Sequence, residues 1–310
     1  MSDIGQFTET PALTAIAISY KNPDEVFIAD EVLPRVPVQK RSFKWQTYDE
    51  ADAFTVPNTK VGRRSEPNRV EIEGREKDGS VDDHAIDIPL DNVTIEEAED
   101  DGFDPRNKAV ERATDIILLD REIRAANVVT NPDNYHEDNV VALDDGLSFL
   151  KENSDPVSII EEMMDACLIK PNQLTFGQSA WRAIRKHPKI VKAVYKNSGD
   201  QGRVTREQLA ELLEVNRILV GSARVNINKP GLAPRLERCW GGSVSGQYIN
   251  RTADTSGGVT FGFTAQHGGR VGGTLSANIG FKGGVLVRSA ESVREMIVAN
   301  RAGFLIKNAV

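Results

Sequence analysis

The chain has 310 residues, a net charge of −8 and 39% hydrophobic residues, which is enough for one large domain or two smaller ones. No run of about 18 apolar residues occurs, which argues against a transmembrane helix, and the first residues do not resemble a secretory signal. The acidic balance argues against a nucleic-acid coat, because affinity for DNA grows with each phosphate that a basic side chain neutralises. Two cysteines, Cys167 and Cys239, cannot form a disulfide scaffold, so we expect a reducing compartment.

The first part of the chain is predicted to be extended and to have little core of its own. Residues 1–22 are polar and include Pro11 within a weakly apolar patch. A helix is then predicted from Asn22, which can cap it, to Pro34, which ends it. Residues 38–77 alternate apolar and polar side chains near both ends, which indicates a long two-stranded excursion. Two strands are marginally stable in water, so this excursion must lie on another surface.

The charges of this region are unevenly distributed. Residues 78–104 carry eleven acids and no lysine or arginine, whereas residues 38–77 carry nine basic and seven acidic side chains. Such an acidic run is most often a solvated face. The sharper hypothesis is that it meets basic residues of another copy of the chain. The candidate contact residues are Arg41, Lys60, Arg63, Arg64, Arg69, Asp82, Asp83, Glu96, Glu97, Asp100 and Asp101.

The strongest helix signal begins at Pro105. Asp104 is a good cap, and proline is favoured at the first helical position. An apolar face at spacings of three and four is predicted from Ala109, Ala113, Ile116, Leu119, Ile123 and Ala126. A helix over 105–127 would be roughly 35 Å long at about 1.5 Å per residue.

The remainder mixes helices and strands, which indicates an α+β region. Helices are predicted over 157–169, 178–195 and 205–213, and strands over 173–176, 217–227 and 240–249. Residues 257–284 contain ten glycines and are predicted to form loops and thin strands. The apolar end of the chain is predicted to enter a sheet.

The sequence contains no pattern that indicates catalysis. The four histidines are far apart, and no zinc spacing, dinucleotide fingerprint or phosphate loop is present. His267-Gly268-Gly269 is interpreted as a turn, because no nucleophile elbow accompanies it. Cys167 is expected to be a packing thiol. The basic helix around Arg182 to Lys196 is interpreted as a solvated face, and no catalytic residue, metal or cofactor is predicted.

The order of these parts resembles the major capsid protein of tailed bacteriophages, an α+β protein with the Hong Kong-type capsid fold that encapsulin shells also use. The resemblance extends over nearly the whole chain. It implies an N-terminal arm at 1–38, an extended E-loop at 39–95, a peripheral domain at 96–155 with a spine helix at 105–127, an axial domain at 156–257, and return strands of both domains at 258–310.

The resemblance also implies a function. The chain would assemble through hexamers and pentamers into the icosahedral head that encloses the double-stranded DNA genome, and it would not be an enzyme. Its location would be the virion, after assembly in the host cytoplasm. Because the spine helix starts at Pro105, no room remains for a cleaved scaffolding region, so a separate scaffolding protein is expected.

The other expected partners are a portal, a decoration protein and packaged DNA through weak non-specific contact, with no membrane. Lys60 lies near the expected loop tip, where some relatives form a covalent cross-link, but no partner asparagine can be assigned and cross-linking is not expected. Two alternatives remain open at this point. One is an encapsulin-like compartment shell, and the other is a soluble acidic hydrolase.

Overall fold

A computed structural model shows a protein of mixed helices and sheets. It describes residues 6–21, 27–48, 74–100, 102–195, 202–229, 231–255 and 257–310, and single positions or short stretches at 56, 58–62, 66, 67 and 69. The α-helices are α1 Pro11–Ser19, α2 Ala29–Val32, α3 Asn92–Asp100, α4 Pro105–Thr130, α5 Pro156–Asp165, α6 Gln178–Ile184, α7 Pro188–Tyr195 and α8 Arg206–Leu212.

The strands are spread over the whole chain. They are β1 Thr8–Glu9, β2 Arg35–Val38, β3 Ser42–Tyr48, β4 Gly74–Ser80, β5 Asp82–Asp91, β6 Val140–Ala142, β7 Gln173–Gly177, β8 Arg217–Gly221, β9 Arg224–Asn226, β10 Leu236–Arg238, β11 Val244–Gln247, β12 Gly262–Ala277, β13 Gly284–Ile297 and β14 Gly303–Lys307. Two 3-10 turns, Pro132–Asn134 and Glu137–Asn139, follow α4.

The first sheet is built around the long antiparallel pair β12–β13. Its order is β1-β12-β13-β5, and β2 also pairs with β12, in the parallel direction. Both strands from the beginning of the chain therefore attach to a strand more than 200 residues later. Leu13, Ala17, Val110 and Val287 share one buried cluster, so α1 and α4 cover the same face of this sheet.

The second sheet has the order β6-β14-β11-β7-β8. The β6–β14 and β7–β8 pairs are parallel, whereas β11 runs antiparallel to both of its neighbours. Its core includes Phe176, Trp181, Ile190 and Phe304. The predicted entry of the chain end into a sheet is confirmed, because β14 is an interior strand.

The β3–β4 pair forms a separate two-stranded sheet. The predicted strand at Phe43 and Trp45 is confirmed. The second strand lies at Gly74–Ser80, and the predicted strand around Val70 and Ile72 falls outside the described residues. Val81 joins β4 to β5, and its N–H donates to the Arg41 carbonyl over 2.9 Å.

Helix α4 starts where the sequence predicted. The Asp104 carboxylate accepts a 2.9 Å hydrogen bond from the Arg106 N–H, and Pro105 occupies the first position. The helix continues to Thr130, three residues beyond the predicted end.

The predicted apolar face of α4 was partly wrong. Ile116, Leu119 and Ile123 are only half-buried, whereas the charged pair Arg121 and Glu122 is fully buried. The buried face of α4 is therefore the one that faces the arm and β13, where partners for these two charges lie.

Other predictions at the beginning of the chain need correction. Residues 11–19 form α1 and are not extended, because Leu13 and Ala17 can be buried against the first sheet and α4. The helix predicted from Asn22 is described only at Ala29–Val32, and its capping residues lie outside the described part.

The glycine-rich segment also differs from its prediction. It contains β12, a strand of 16 residues. A Cβ on Gly272 would lie 2.6 Å from the Leu13 carbonyl oxygen, and a Cβ on Gly273 would lie 2.3 Å from that of Thr8. These glycines therefore allow the arm to approach the strand closely. His267-Gly268-Gly269 is not a turn but a β-bulge inside β12, with Gly268 at φ 69°.

Two further differences concern helices. The helix predicted over 178–195 is divided into α6 and α7, because Pro188 has no N–H with which to continue the ladder. The Thr205 capping box of α8 is confirmed. Among the described residues, no helix combines the length and apolar character that crossing a bilayer requires.

Candidate functional site

A cluster of buried charges joins the arm, helix α4 and the first sheet. We call it the buried ionic cluster: Arg121, Arg270 and Glu291 are buried, Arg35 is half-buried, and Asp30 is an exposed member at its edge. Arg35 Nη1 lies 2.9 Å from Glu291 Oε2, and Arg270 Nη2 lies 3.1 Å from the same oxygen. Asp30 pairs with Arg35 over 2.7 Å and also with Arg121.

The electrostatics of this cluster favour the ionised forms of its carboxyl groups. Burial alone would raise the pKa of Glu291, but the guanidinium groups of Arg35 and Arg270 outweigh it and lower that pKa below its ordinary value. Neighbouring side chains partly desolvate the exposed Asp30 carboxylate, but Arg121 and Arg35 outweigh that effect and lower its pKa. Removing one member would leave an uncompensated buried charge, which is strongly destabilising.

Arg121 links three separate parts of the chain. Its side chain is 1% exposed. Nη2 donates to the Leu33 carbonyl over 3.2 Å and to the Thr264 hydroxyl over 3.1 Å. One helical side chain thereby fixes the arm against the interior of β12.

Glu122, the next residue, collects three donors. Its carboxylate accepts hydrogen bonds from the Ile28 N–H at 3.0 Å, the Ala29 N–H at 2.8 Å and the Trp240 indole N–H at 2.6 Å. The two backbone donors come from the start of α2, where a helix has unpaired N–H groups. Desolvation by burial raises the pKa of Glu122, so these donors compensate for a costly charge.

The β-bulge of β12 places Arg270 in the interior. The register between β12 and β13 shifts between His267 and Val271, and a bulge of this kind redirects the side chains beside it. Arg270 is 9% exposed, and its Nη1 donates to the Ala17 carbonyl of α1 over 2.8 Å. The bulge therefore lets β12 hold a second part of the arm.

Two aromatic rings anchor the β3–β4 hairpin at its base. Phe43 and Trp45 lie with ring centroids 6.0 Å apart, and both pack against a small cluster that includes Val38, Val81 and Met296. A Cβ on Gly79 would come within 2.8 Å of the Trp45 ring. Beside this base lies an open cleft of about 820 Å³, whose lining includes Lys40, Lys44, Asp78 and Arg294.

The predicted contact residues have different surroundings. Arg41 and Asp83 form an ion pair with each other inside the chain, and Glu96 pairs with Lys282 over 2.6 Å. Arg69 lies 3.5 Å from Glu66. The structure therefore already provides intrachain partners for part of this set.

The remaining members of the set are exposed or not described. Lys60, Asp82 and Glu97 are exposed. Arg63, Arg64 and Asp101 lie outside the described residues, and Asp100 is described only as part of α3. Their role as contacts between copies stays a prediction.

Among the described residues, the two cysteines and the potential metal ligands do not form an arrangement that resembles a catalytic centre. Burial raises the pKa of Cys167 to about 12 and that of Cys239 to about 11, which keeps both thiols protonated and unreactive at neutral pH. Cys167 Sγ donates to the Met163 carbonyl over 3.3 Å, in keeping with a packing role. Within the described ranges, no group of three or more histidine, cysteine or acidic side chains could hold a metal ion.

The buried ionic cluster and Glu122 were missed by the sequence reasoning. Charged residues on a helix are usually exposed, and the hydrogen-bond partners of Arg121 and Glu122 lie 88 to 143 residues away. The only available signal was the break in the apolar face of α4, where Arg121-Glu122 stands beside Ala125 and Ala126.

Solved structures show the class of fold. A phage-related protein from Bordetella bronchiseptica is similar at a TM-score of 0.75 with 23% identity, over 98% of each chain. The putative capsid protein of an Escherichia coli prophage is similar at a TM-score of 0.57 with 12% identity, over 97% of this chain and 99% of that one. The long helix, the arm strands and the two sheets are thus arranged as in the Hong Kong-type capsid fold.

The sequence comparison places the chain in a family. It is 44% identical over 305 residues to the major capsid protein of Pseudomonas phage JBD67, with 98% of both chains aligned. The chain therefore belongs to the phage major capsid proteins. A scan against family models matched none of them.

Proposed function

We propose that this major capsid protein assembles through hexamers and pentamers into the icosahedral head that encloses the double-stranded DNA of a tailed phage. The proposal includes assembly in the host cytoplasm and a structural rather than an enzymatic role. The family membership supports the shell itself, and the physical properties of the hairpin region support assembly by mutual contact.

The exposed excursion is the observation that carries this proposal. The described positions between 56 and 69 are all exposed, and they include Val56 at 83% and Val61 at 46%. The β3–β4 pair below them has no further strand beside it among the described residues. Exposed apolar side chains in a segment carried by an isolated strand pair gain stability by burial against another surface, which in a shell is a neighbouring subunit.

The domain boundaries predicted from sequence are retained as part of the proposal. Residues 1–38 would be the arm, 39–95 the E-loop, 96–155 the peripheral domain, 156–257 the axial domain and 258–310 the return strands. Their support is topological, because β12 and β13 complete the first sheet while β14 completes the second. A separate scaffolding protein, a portal and a decoration protein are the proposed partners, with DNA held only by weak non-specific contact.

A direct experiment tests the proposal. The purified chain is placed under assembly conditions, and its mass is measured by mass photometry and its shape by electron microscopy. Closed shells of uniform diameter, with six-fold and five-fold capsomers, are expected. A small oligomer that persists under every condition would contradict the proposal.

Charge reversal tests the proposed contacts of the excursion. The R63E/R64E variant is expected to assemble poorly while the subunit keeps its unfolding temperature, because the nearest described positions on either side, Gly62 and Glu66, are exposed. Its control is K170E, which reverses the charge of an exposed lysine on the second-sheet side of the molecule. The Lys170 Nζ atom lies 3.0 Å from Glu214 Oε2. Normal shells from R63E/R64E would refute the contact.

A further inference from the structure

The β9–β10 hairpin carries a surface that is both apolar and basic. Ile227, Leu232 and Leu236 are 47%, 64% and 56% exposed. Four basic side chains and one acid lie within residues 222–239. We call residues 222–239 the basic hairpin.

The basic charges of this hairpin are crowded together. Arg224 and Arg238 are direct register partners across β9 and β10, and like charges in that relation are destabilising. Burial lowers the pKa of Arg238, and the nearby guanidinium groups of Arg224 and Arg182 lower it further. The approach of an acidic surface would reduce the repulsion between these guanidinium groups.

A surface of opposite character follows β6. Residues 143–155 contain four acidic side chains and one lysine. Leu147 and Leu150 in the same segment are 48% and 67% exposed. We call this segment the acidic loop. It is held in place, because the Phe149 N–H donates to the Ala309 carbonyl over 2.8 Å and Ser154 Oγ lies 3.2 Å from His187 Nε2. It therefore presents its leucines from a fixed position.

The two surfaces lie at one end of the second sheet, on opposite edges. Strands β6 and β8 are the two edge strands. They run in the same direction, because each is parallel to its neighbour and both neighbours are antiparallel to β11. The acidic loop leaves the end of β6, and the basic hairpin leaves the same end of β8, about 19 Å away across four strand spacings.

We propose that the basic hairpin of one subunit binds the acidic loop of the next copy of this chain, head to tail, around the axis of each capsomer. Two different complementary surfaces form a heterologous contact, which closes into a ring when the rotation fits. The exposed leucines favour a protein partner over DNA, since phosphate contacts need charge but no apolar area. This inference rests on the proposed shell function and assigns the contact within it.

Complementation between two defective variants tests the inference. In L232D the hairpin is impaired and the loop is intact, whereas in L150K the loop is impaired and the hairpin is intact. Each variant alone is expected to associate about 100-fold more weakly than the natural chain, as for an interface hot spot. When the two variants are mixed in equal amounts, the intact loop of L232D can bind the intact hairpin of the other variant. A one-to-one dimer is therefore expected by native mass spectrometry. The control variants L232M and L150M keep the apolar area and should assemble normally.

The outcomes separate this inference from the shell function. If the natural chain assembles and L232D and L150K do too, the contact is wrong while the shell function stands. If the natural chain never assembles, the proposed function itself fails. If the mixture stays monomeric, or if L232D changes only the binding of a labelled DNA duplex, the head-to-tail contact is overturned. Unfolding temperatures within a few degrees of the natural chain confirm that each variant is folded.

Discussion

Replacing Glu122 with alanine should loosen the junction between the arm, α4 and the loop that carries Trp240. The carboxylate accepts from two backbone N–H groups and one indole N–H. Each buried donor left without a partner costs about 1–3 kcal/mol. Removing the costly buried charge, whose pKa burial raises, offsets part of that loss. The expected net loss is about 3 kcal/mol, which is large against a total stability of about 5–15 kcal/mol.

The assay is urea unfolding of the unassembled subunit, followed by circular dichroism. With a slope of about 3 kcal/mol per molar urea, the midpoint of E122A should fall by about 1 M. E122Q keeps one accepting oxygen but turns an N–H₂ group toward a donor, so an intermediate loss is expected. The control is E111A, an exposed position on the same helix, which should change stability by less than about 0.5 kcal/mol.

A double-mutant cycle with W240F sharpens the test. W240F removes the indole donor, so the E122A and W240F losses should not be additive, with a coupling energy of about 1 kcal/mol or more. Additive losses would show that the 2.6 Å hydrogen bond contributes nothing to stability. An E122A midpoint equal to that of the natural chain would refute the whole account of this junction.

Two further predictions concern the buried charges and the packing of Trp240. Because the folded-state pKa of Glu291 is lowered, its stabilisation is present above the ordinary carboxyl range near pH 4 and is lost as pH falls through the folded value. E291Q should therefore lower the unfolding temperature at pH 7 and flatten its decline between pH 5 and 3, and an unchanged decline would contradict this assignment. A Cβ on Gly221 would lie 2.0 Å from the Trp240 ring, whereas one on Gly269 meets nothing within 4 Å. Calorimetry should show G221A destabilised by about 1–3 kcal/mol and G269A nearly unchanged, and equal effects would exclude the steric explanation.

The sequence determined the elements whose signals are local. Pro105 after Asp104 marked the start of α4, and the Thr205 capping box marked α8, because capping depends only on residues within one turn. Alternation at Phe43 and Trp45 marked β3. The order of these elements was enough to suggest the capsid fold, since that fold is defined by an arm and an excursion that precede a long helix.

Only the tertiary structure decided which face each element buries. Arg121 and Glu122 are buried because their partners arrive from the arm and from Trp240, far away in sequence. The glycine-rich segment forms the long strand β12 because it pairs with β13 along its length, and the arm lies too close to Gly272 and Gly273 for side chains at those positions. The net charge of −8 likewise indicated an acidic protein but not where the charges lie. The positions of β6 and β8 as the two edge strands of one sheet place an acidic and a basic surface at opposite edges, and such long-range placement has no local signal in the sequence.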